Sequence, residues 1–242
     1  MTGLQIPTAS GQLAGVLHTP ADPGVSKTTL IICHGFRGSK EGGGRAVSLA
    51  EKACKLGLYV VRFDFTPATV LTQQVAELAA VVQYVGKHIG GNILLLGRSM
   101  GGSAALAYAA AAGKIAGLCL WATPWGMEET FRLALGENYD RLEQGEVVSL
   151  DDEYGLVTIT PAFIGDFRNY DLLGSVRILR GLSLLQVHGD SDAIVPLRQA
   201  YDINQAAAVT KKLVVIEGGD HHLADHAEVA AKAVLDWLQT VI

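Results

Sequence analysis

The chain has 242 residues, enough to bury a sizeable core in one domain or in one domain carrying an insertion. Hydrophobic residues make up 49% and charged residues 18%, the balance of an ordered globular protein and not of a disordered one. The formal net charge of -5 supplies no overall attraction to nucleic acid or to an anionic membrane, so neither is an expected partner.

The opening MTGLQIPTASGQ has neither the basic nor the apolar region of a secretory signal, and no apolar run approaches the length of a bilayer span. A cytoplasmic location is therefore expected. Residues 12–18 alternate weakly and suit an early antiparallel strand. The runs TTLIIC (28–33), LYVVRF (58–63), NILLL (92–96), IAGLCLW (115–121), LSLLQV (182–187) and KLVVI (212–216) are apolar almost throughout. Continuous hydrophobicity predicts strands covered on both faces, as in a parallel sheet. Helix-like patterns lie between them at 46–56, 71–87, 100–112, 196–208 and 224–241. Repeated β-α-β order predicts a doubly wound α/β architecture.

Residues 123–180 break this rhythm. A helical piece is expected around 127–143, then a hairpin pairing 146–150 with 156–160 across DDEYG, then a short helix near 162–168. The segment is read as an insertion over the sheet, so that 1–242 form a single domain. Cysteine usage agrees with a reducing compartment. Cys33, Cys54 and Cys119 are odd in number, and Cys33 and Cys119 lie in apolar strand runs, which predicts free thiols and not a disulfide frame.

The chemistry is expected at the carboxyl ends of the strands, where open parallel sheets bind ligands. HGFRG (34–38) follows the strand ending at Cys33, and GRSMGG (97–102) follows Leu96. HGDSDAIVP (188–196) follows Val187, and EGGDHHL (217–223) follows Ile216. A Gly-x-Ser-x-Gly arises by chance in roughly one such chain in eight, so the motif at Ser99 gains meaning only from the other three strand ends. In chain order these ends deliver a Gly-rich turn, a serine, an acid and a histidine. DHHLADH (220–226) also invites a metal reading, with His222 and His226 on one helical face if the segment is helical. No separate carboxylate or cysteine ligand motif supports that reading, and no metal is expected. HGFRGSKEGGGR lacks the Lys-Ser/Thr ending of a phosphate loop, and no GxGxxG follows the first strand. No cofactor is expected.

These four motifs, together with TPAFIGDFRNYDLL in the insertion, resemble the α/β-hydrolase superfamily over nearly the whole chain. The likeness is to its small serine esterase and acyl-peptidase-like branch, cinnamoyl-esterase-like proteins included. HGDSDAIVP matches that branch's HG-x-x-D-x-x-VP, and GGDHHL its G-x-D-H-x-[FL]. The resemblance implies an α/β-hydrolase fold, a mostly parallel doubly wound sheet with a small insert (cap) after the sixth strand. It implies a nucleophile elbow at Ser99 and a triad in the order serine, acid, histidine. His221 is then the base, with His222 as its near rival and His226 a weaker one. Asp192 orients the base, with Asp190 as the competitor. Backbone N–H groups of Met100 and Phe36 are the implied oxyanion donors. His34 and His188, each preceding a glycine, are expected to hydrogen-bond their turns.

Two departures from the branch stand out. The loop after Phe65 is short, running through TPATV almost directly into a helix, and Arg98 stands before the serine where relatives carry a neutral residue. Arg98 suits either a structural ion pair or an acidic group near the site. Trp125, Phe131 and Phe163 are candidate apolar walls of the pocket. The implied activity is hydrolysis of small to medium carboxylic esters, the partner being a small-molecule ester. Peptidase, thioesterase or amidase chemistry on the same triad, and a silent ligand-binding fold, are the alternatives.

Overall fold

The computed structural model describes residues 1–22, 27–152 and 155–242. In chain order the strands of the main sheet begin with β1 (Thr2–Thr8), β2 (Gly11–His18), β3 (Thr28–Cys33), β4 (Tyr59–Phe63), β5 (Asn92–Arg98) and β6 (Gly117–Trp121). A small separate hairpin, β7 (Val148–Asp152) and β8 (Gly155–Ile159), precedes β9 (Ser183–Gly189) and β10 (Thr210–Ile216). The main sheet has the order β1-β2-β4-β3-β5-β6-β9-β10. β1, β2 and β4 pair antiparallel, and every pairing from β4 through β3 to β10 is parallel.

The continuous apolar runs mean what they should. All six residues of β3 and all five of β6 are buried, and alternate side chains serve opposite faces. Ile31 and Cys33 join a core with α2 (Leu71–His88) and α3 (Met100–Ala112). Leu30 and Ile32 join one with α1 (Arg45–Lys55) and the last helix of the chain, Ala227–Val241. The chain runs from β3 to β4 on one side and then crosses to β5 on the other. The ends of β3 and β5 therefore open onto the crevice where such sheets bind ligands.

Several sequence expectations change. β1 had no clear signal, because only Ile6 of TGLQIPT is buried and Pro7 interrupts the run. β10 is not covered on both faces: it is the sheet edge, and Thr210, Lys211, Lys212 and Val215 are exposed. Within 123–180 the expected single helical piece is two helices, α4 (Met127–Leu135) and α5 (Glu137–Glu143). Gly136 divides them at φ 54°, ψ -130°, a backbone region that only glycine enters cheaply. The hairpin strands begin two residues later and one earlier than expected, with Val148 opposite Ile159 and Asp152 opposite Gly155. Glu153 and Tyr154 of the expected DDEYG turn lie outside the described residues.

The short helix near 162–168 is α6 (Pro161–Gly165), extended by a 3-10 turn at Asp166–Asn169. A further helix, α7 (Leu172–Ile178), spans only two turns, too short for the i, i+4 spacing of buried Leu172 and Val176 to stand out; its N-cap Asp171 accepts from the Gly174 N–H at 2.8 Å. Phe131, Phe163 and Phe167 knit α4 to α6 and the 3-10 turn, with ring centroids 5.0–5.3 Å apart. Helix α8 (Leu197–Ala206) pins the start of this segment through the fully buried Gln199. Its Oε1 accepts from the N–H groups of Trp125 and Gly126 at 3.0 and 2.9 Å. The final helix, α9 (Ala227–Val241), starts three residues later than expected, and none of the described helices is long and apolar enough to cross a membrane.

Candidate active site

At the end of β5 the chain turns sharply into α3, and Ser99 sits on the turn at φ 51°, ψ -128°. A serine in this region is strained and is held by its surroundings. Its N–H donates to Trp121 O at 2.9 Å, and its carbonyl accepts from Gly102 and Ser103 N–H at 2.8 and 3.2 Å. The flanking glycines are required by close approach. A Cβ on Gly97 would stand 2.7 Å from Gly101 C, and one on Gly101 would stand 2.7 Å from Cys33 O and 2.8 Å from His34 C. The elbow thus presses directly on the turn that follows β3.

Three motifs meet at the exposed side of this elbow. His221 Nε2 lies 3.1 Å from Ser99 Oγ, and His221 Nδ1 lies 2.8 Å from Asp192 Oδ2. The other carboxylate oxygen of Asp192 accepts from the N–H groups of Ile194 and Val195 at 2.9 and 2.8 Å. Burial pushes the Asp192 carboxyl up, but its bond to His221, the His221 charge and the two N–H groups together hold it below the ordinary carboxylate value. With Asp192 ionised, the proton of neutral His221 belongs on Nδ1, which leaves the Nε2 lone pair toward the Ser99 hydroxyl.

The rivals are occupied elsewhere. Asp190 Oδ1 accepts from Gly218 N–H at 2.8 Å and from the Ser191 hydroxyl at 3.1 Å, tying two turns together. His222 Nδ1 accepts from Arg98 Nη2 at 3.1 Å. Burial, then the Arg98 charge, lowers the His222 pKa. Residues 221–226 form turns, with Leu223 at φ 48°, so the helical face proposed for His222 and His226 does not exist.

Both of the other histidines brace their turns. His34 Nε2 accepts from Phe65 N–H at 2.9 Å, so Nδ1 carries the proton and donates to Gly35 O at 2.8 Å. Burial keeps His34 neutral by lowering its pKa. His188 donates from Nε2 to Val195 O at 2.8 Å, and burial likewise lowers its pKa. Cys33 and Cys119 are buried in the sheet, where burial raises their thiols far above reactive values.

Phe36 and Met100 flank Ser99 from two sides. Met100 is the first residue of α3, whose leading N–H groups lack intrahelical acceptors. Phe36 follows Gly35, where a Cβ would come within 3.0 Å of Ser99 Cβ and 3.6 Å of its Oγ. The next residue, Arg37, has φ 56° and reaches across to Asp152 Oδ2 and Gly155 O at the hairpin. This links the turn beside Ser99 to β7 and β8.

A cavity of about 640 Å³ opens over Ser99. Phe36, Arg98, Phe131 and His221 line it, with Leu135 and Leu150 supplying further apolar wall. Two of the expected pocket residues are elsewhere. Trp125 donates from Nε1 to Asp202 at 3.2 Å and faces a separate hollow of about 500 Å³ shared with Tyr170 and Arg198. Phe163 is buried behind Phe36, with centroids 5.1 Å apart, as packing for the wall. Sequence reasoning missed Arg37, Arg45 and Leu135 as lining residues; Ile194 could have been read from its place inside HGDSDAIVP.

No sequence-family model matches the chain, and no curated protein sequence does. Solved structures do. Est1E from Butyrivibrio proteoclasticus is 24% identical with a TM-score of 0.85, over 99% of this chain and 98% of that one. The esterase domain from a Rhodothermus marinus protein is 22% identical with a TM-score of 0.76, over 99% and 98%. Mouse alpha/beta hydrolase domain-containing protein 10 is 20% identical with a TM-score of 0.79, over the whole of both chains. Coverage of this extent on both sides, with the strand order described above, shows that the chain has the α/β-hydrolase fold.

Proposed function

We propose that the protein is a serine hydrolase that cleaves carboxylic esters of small to medium size through an acyl-enzyme on Ser99. The observation that carries this reading is the hydrogen-bonded line from Ser99 Oγ through His221 to Asp192 at the floor of a cavity. A serine hydroxyl is a weak nucleophile until a base takes its proton as it attacks. His221 Nε2 is that base, and Asp192 fixes the tautomer and stabilises the imidazolium that forms. The negative charge on the former carbonyl oxygen is met by the N–H groups of Met100 and Phe36, aided by the positive end of α3. His221 then returns the proton to the departing alcohol, and a water molecule activated the same way releases the acid. Residues 123–180 act as a cap within a single domain, with Phe131 and Leu135 of α4 shaping the pocket. The esterases among the similar structures support the ester class.

The test is covalent labelling with a fluorophosphonate probe alongside hydrolysis of a panel of esters, thioesters and aminoacyl amides. Wild type is expected to label and to favour esters, and Ser99→Ala to do neither. Folded wild type that stays unlabelled, or a Ser99→Ala variant that labels equally, sinks the mechanism.

A further inference from the structure

The three side chains of the proposed triad are not held alike. Ser99 is fixed by backbone bonds to Trp121 and to the first turn of α3, and Asp192 by the N–H groups of its own turn. His221 sits in the turns between β10 and α9, where Leu223 takes a strained φ of 48°. Asp220 braces this segment through its backbone O and its Oδ1, which accept from Leu223 N–H at 3.2 and 2.6 Å. Among the described residues no backbone N–H donates to the carbonyl of His221 or of His222.

Two guanidinium groups reach those carbonyls instead. Arg98 Nη2 carries two hydrogens and meets two acceptors, His221 O at 3.2 Å and His222 Nδ1 at 3.1 Å. Burial and then the Arg98 charge lower the His222 pKa, which keeps that Nδ1 lone pair in place as an acceptor. Arg45 Nη1 donates to His222 O at 2.9 Å, while its Nε leans on Gly42 O at 3.4 Å. The origin of the two side chains gives these bonds their consequence. Arg98 is the last residue of β5 and stands directly before Ser99, so the strand that ends in the nucleophile also holds the backbone of the base. Arg45 is the first residue of α1, whose Leu49, Ala50 and Ala53 share a core with α9. A guanidinium suits the task, because its planar fork fixes direction as well as distance and its charge strengthens each bond. The neutral residue found before the serine in the resembled branch could do neither.

We propose that Arg98 and Arg45 are positioning residues that hold the His221 imidazole against Ser99 by gripping residues 221 and 222. The proposal rests on the reading of Ser99 as nucleophile and His221 as base, but is separable from it by experiment. Both arginines also line the cavity, so contact with substrate is the competing role, and it acts on KM. Hydrolysis of p-nitrophenyl acetate, a small neutral ester, is followed in wild type, Arg98→Met, Arg98→Lys and Arg45→Met. Arg98→Met should lower kcat by roughly 10- to 100-fold, the effect of a base displaced by up to about 1 Å, with KM held within about threefold. Arg98→Lys should recover part of the loss, because an ammonium still donates to His221 O. Arg45→Met, acting one residue further from the imidazole, should lower kcat by roughly 3- to 10-fold, and it decides the matter if Arg98→Met does not fold.

The imidazole is observed separately, without substrate, through the low-field proton resonance of His221 Nδ1–H in its bond to Asp192. That resonance, identified by its absence in His221→Ala, should be sharp in wild type and broadened or lost in Arg98→Met and Arg45→Met. If wild type hydrolyses no ester and resists the fluorophosphonate while the resonance still depends on Arg98, the ester reading fails and the positioning role stands. A resonance unchanged in both variants, or a loss of activity confined to KM, overturns it.

Discussion

Gly101 is the point where the proposed nucleophile elbow and the oxyanion turn touch, and Gly101→Ala tests that contact. The new Cβ would sit 2.7 Å from Cys33 O and 2.8 Å from His34 C, all of it backbone that cannot rotate aside. His34 O is closer still, so to regain ordinary van der Waals contact the two segments must separate by more than about 1 Å. Overpacking of this kind costs about 1–3 kcal/mol. At about 2–4 °C per kcal/mol for a chain of this size, the Tm should fall by roughly 2–12 °C. The same displacement carries Phe36 away from Ser99, and a misplacement near 1 Å costs on the order of 100-fold in rate.

Gly86→Ala is the matched control. Gly86 lies within α2 with nothing within 4 Å of its would-be Cβ, so helix propensity alone acts. That variant should gain about 0.5–1 kcal/mol, melt slightly higher and keep wild-type kcat/KM. Thermal melts and ester kinetics on the three proteins decide the matter. A Gly101→Ala protein that melts and turns over like wild type would show that the elbow does not bear on the turn at 33–36.

Asp192→Asn should cut kcat/KM by roughly 10³- to 10⁴-fold while the protein still folds, because the amide no longer enforces the His221 tautomer. The folded-state pKa of Asp192 is depressed, so its stabilising contribution is present above the ordinary carboxylate value and is lost as pH falls through the folded one. The Tm gap between wild type and Asp192→Asn at pH 7 should therefore narrow in melts taken below about pH 4. His221→Ala should slow fluorophosphonate labelling by roughly 10³-fold or more, whereas His222→Ala should stay within about tenfold of wild type; equal losses would mean that the wrong imidazole has been assigned. Gln199→Ala strips the Trp125 and Gly126 N–H groups of their acceptor and opens a void, at a cost of about 2–3 kcal/mol. Its Tm should drop by roughly 4–12 °C, and an unchanged melt would show that α8 does not pin the insertion.

The α/β sheet was legible because β3, β5, β6 and β9 are buried on both faces, and continuous apolar runs are the direct trace of that burial. Where burial was one-sided or slight the trace faded. β1 buries only Ile6 and was missed, and the lysines of β10 record an edge that hydrophobicity alone could not distinguish from an interior strand. The insertion was legible only in outline. Its break at Gly136 depends on one glycine dihedral, and the hairpin register depends on pairing across a turn, neither of which has a period to read.

The same contrast runs through the candidate site. Ser99, Asp192 and His221 each stand just beyond a strand end, so knowing the strand order was enough to bring their motifs together. The cavity obeys a different logic, because its walls are set by contacts between segments far apart in the chain. Arg37 is fixed by Asp152, 115 residues later, and Phe36 packs on Phe131 of α4. Trp125 and Phe163 have the same apolar character as Phe131, yet one faces another hollow and the other backs the wall. Residue type could not distinguish among the three; the direction of each chain segment does. Arg45 makes the point most sharply. In HGFRGSKEGGGR it is one polar residue at the end of a glycine-rich loop, and it acquires meaning only when the 222 carbonyl draws it to the rim of the cavity over Ser99. The proposed catalytic residues are thus legible at strand ends, whereas the cavity walls are built by loops whose partners only the fold supplies.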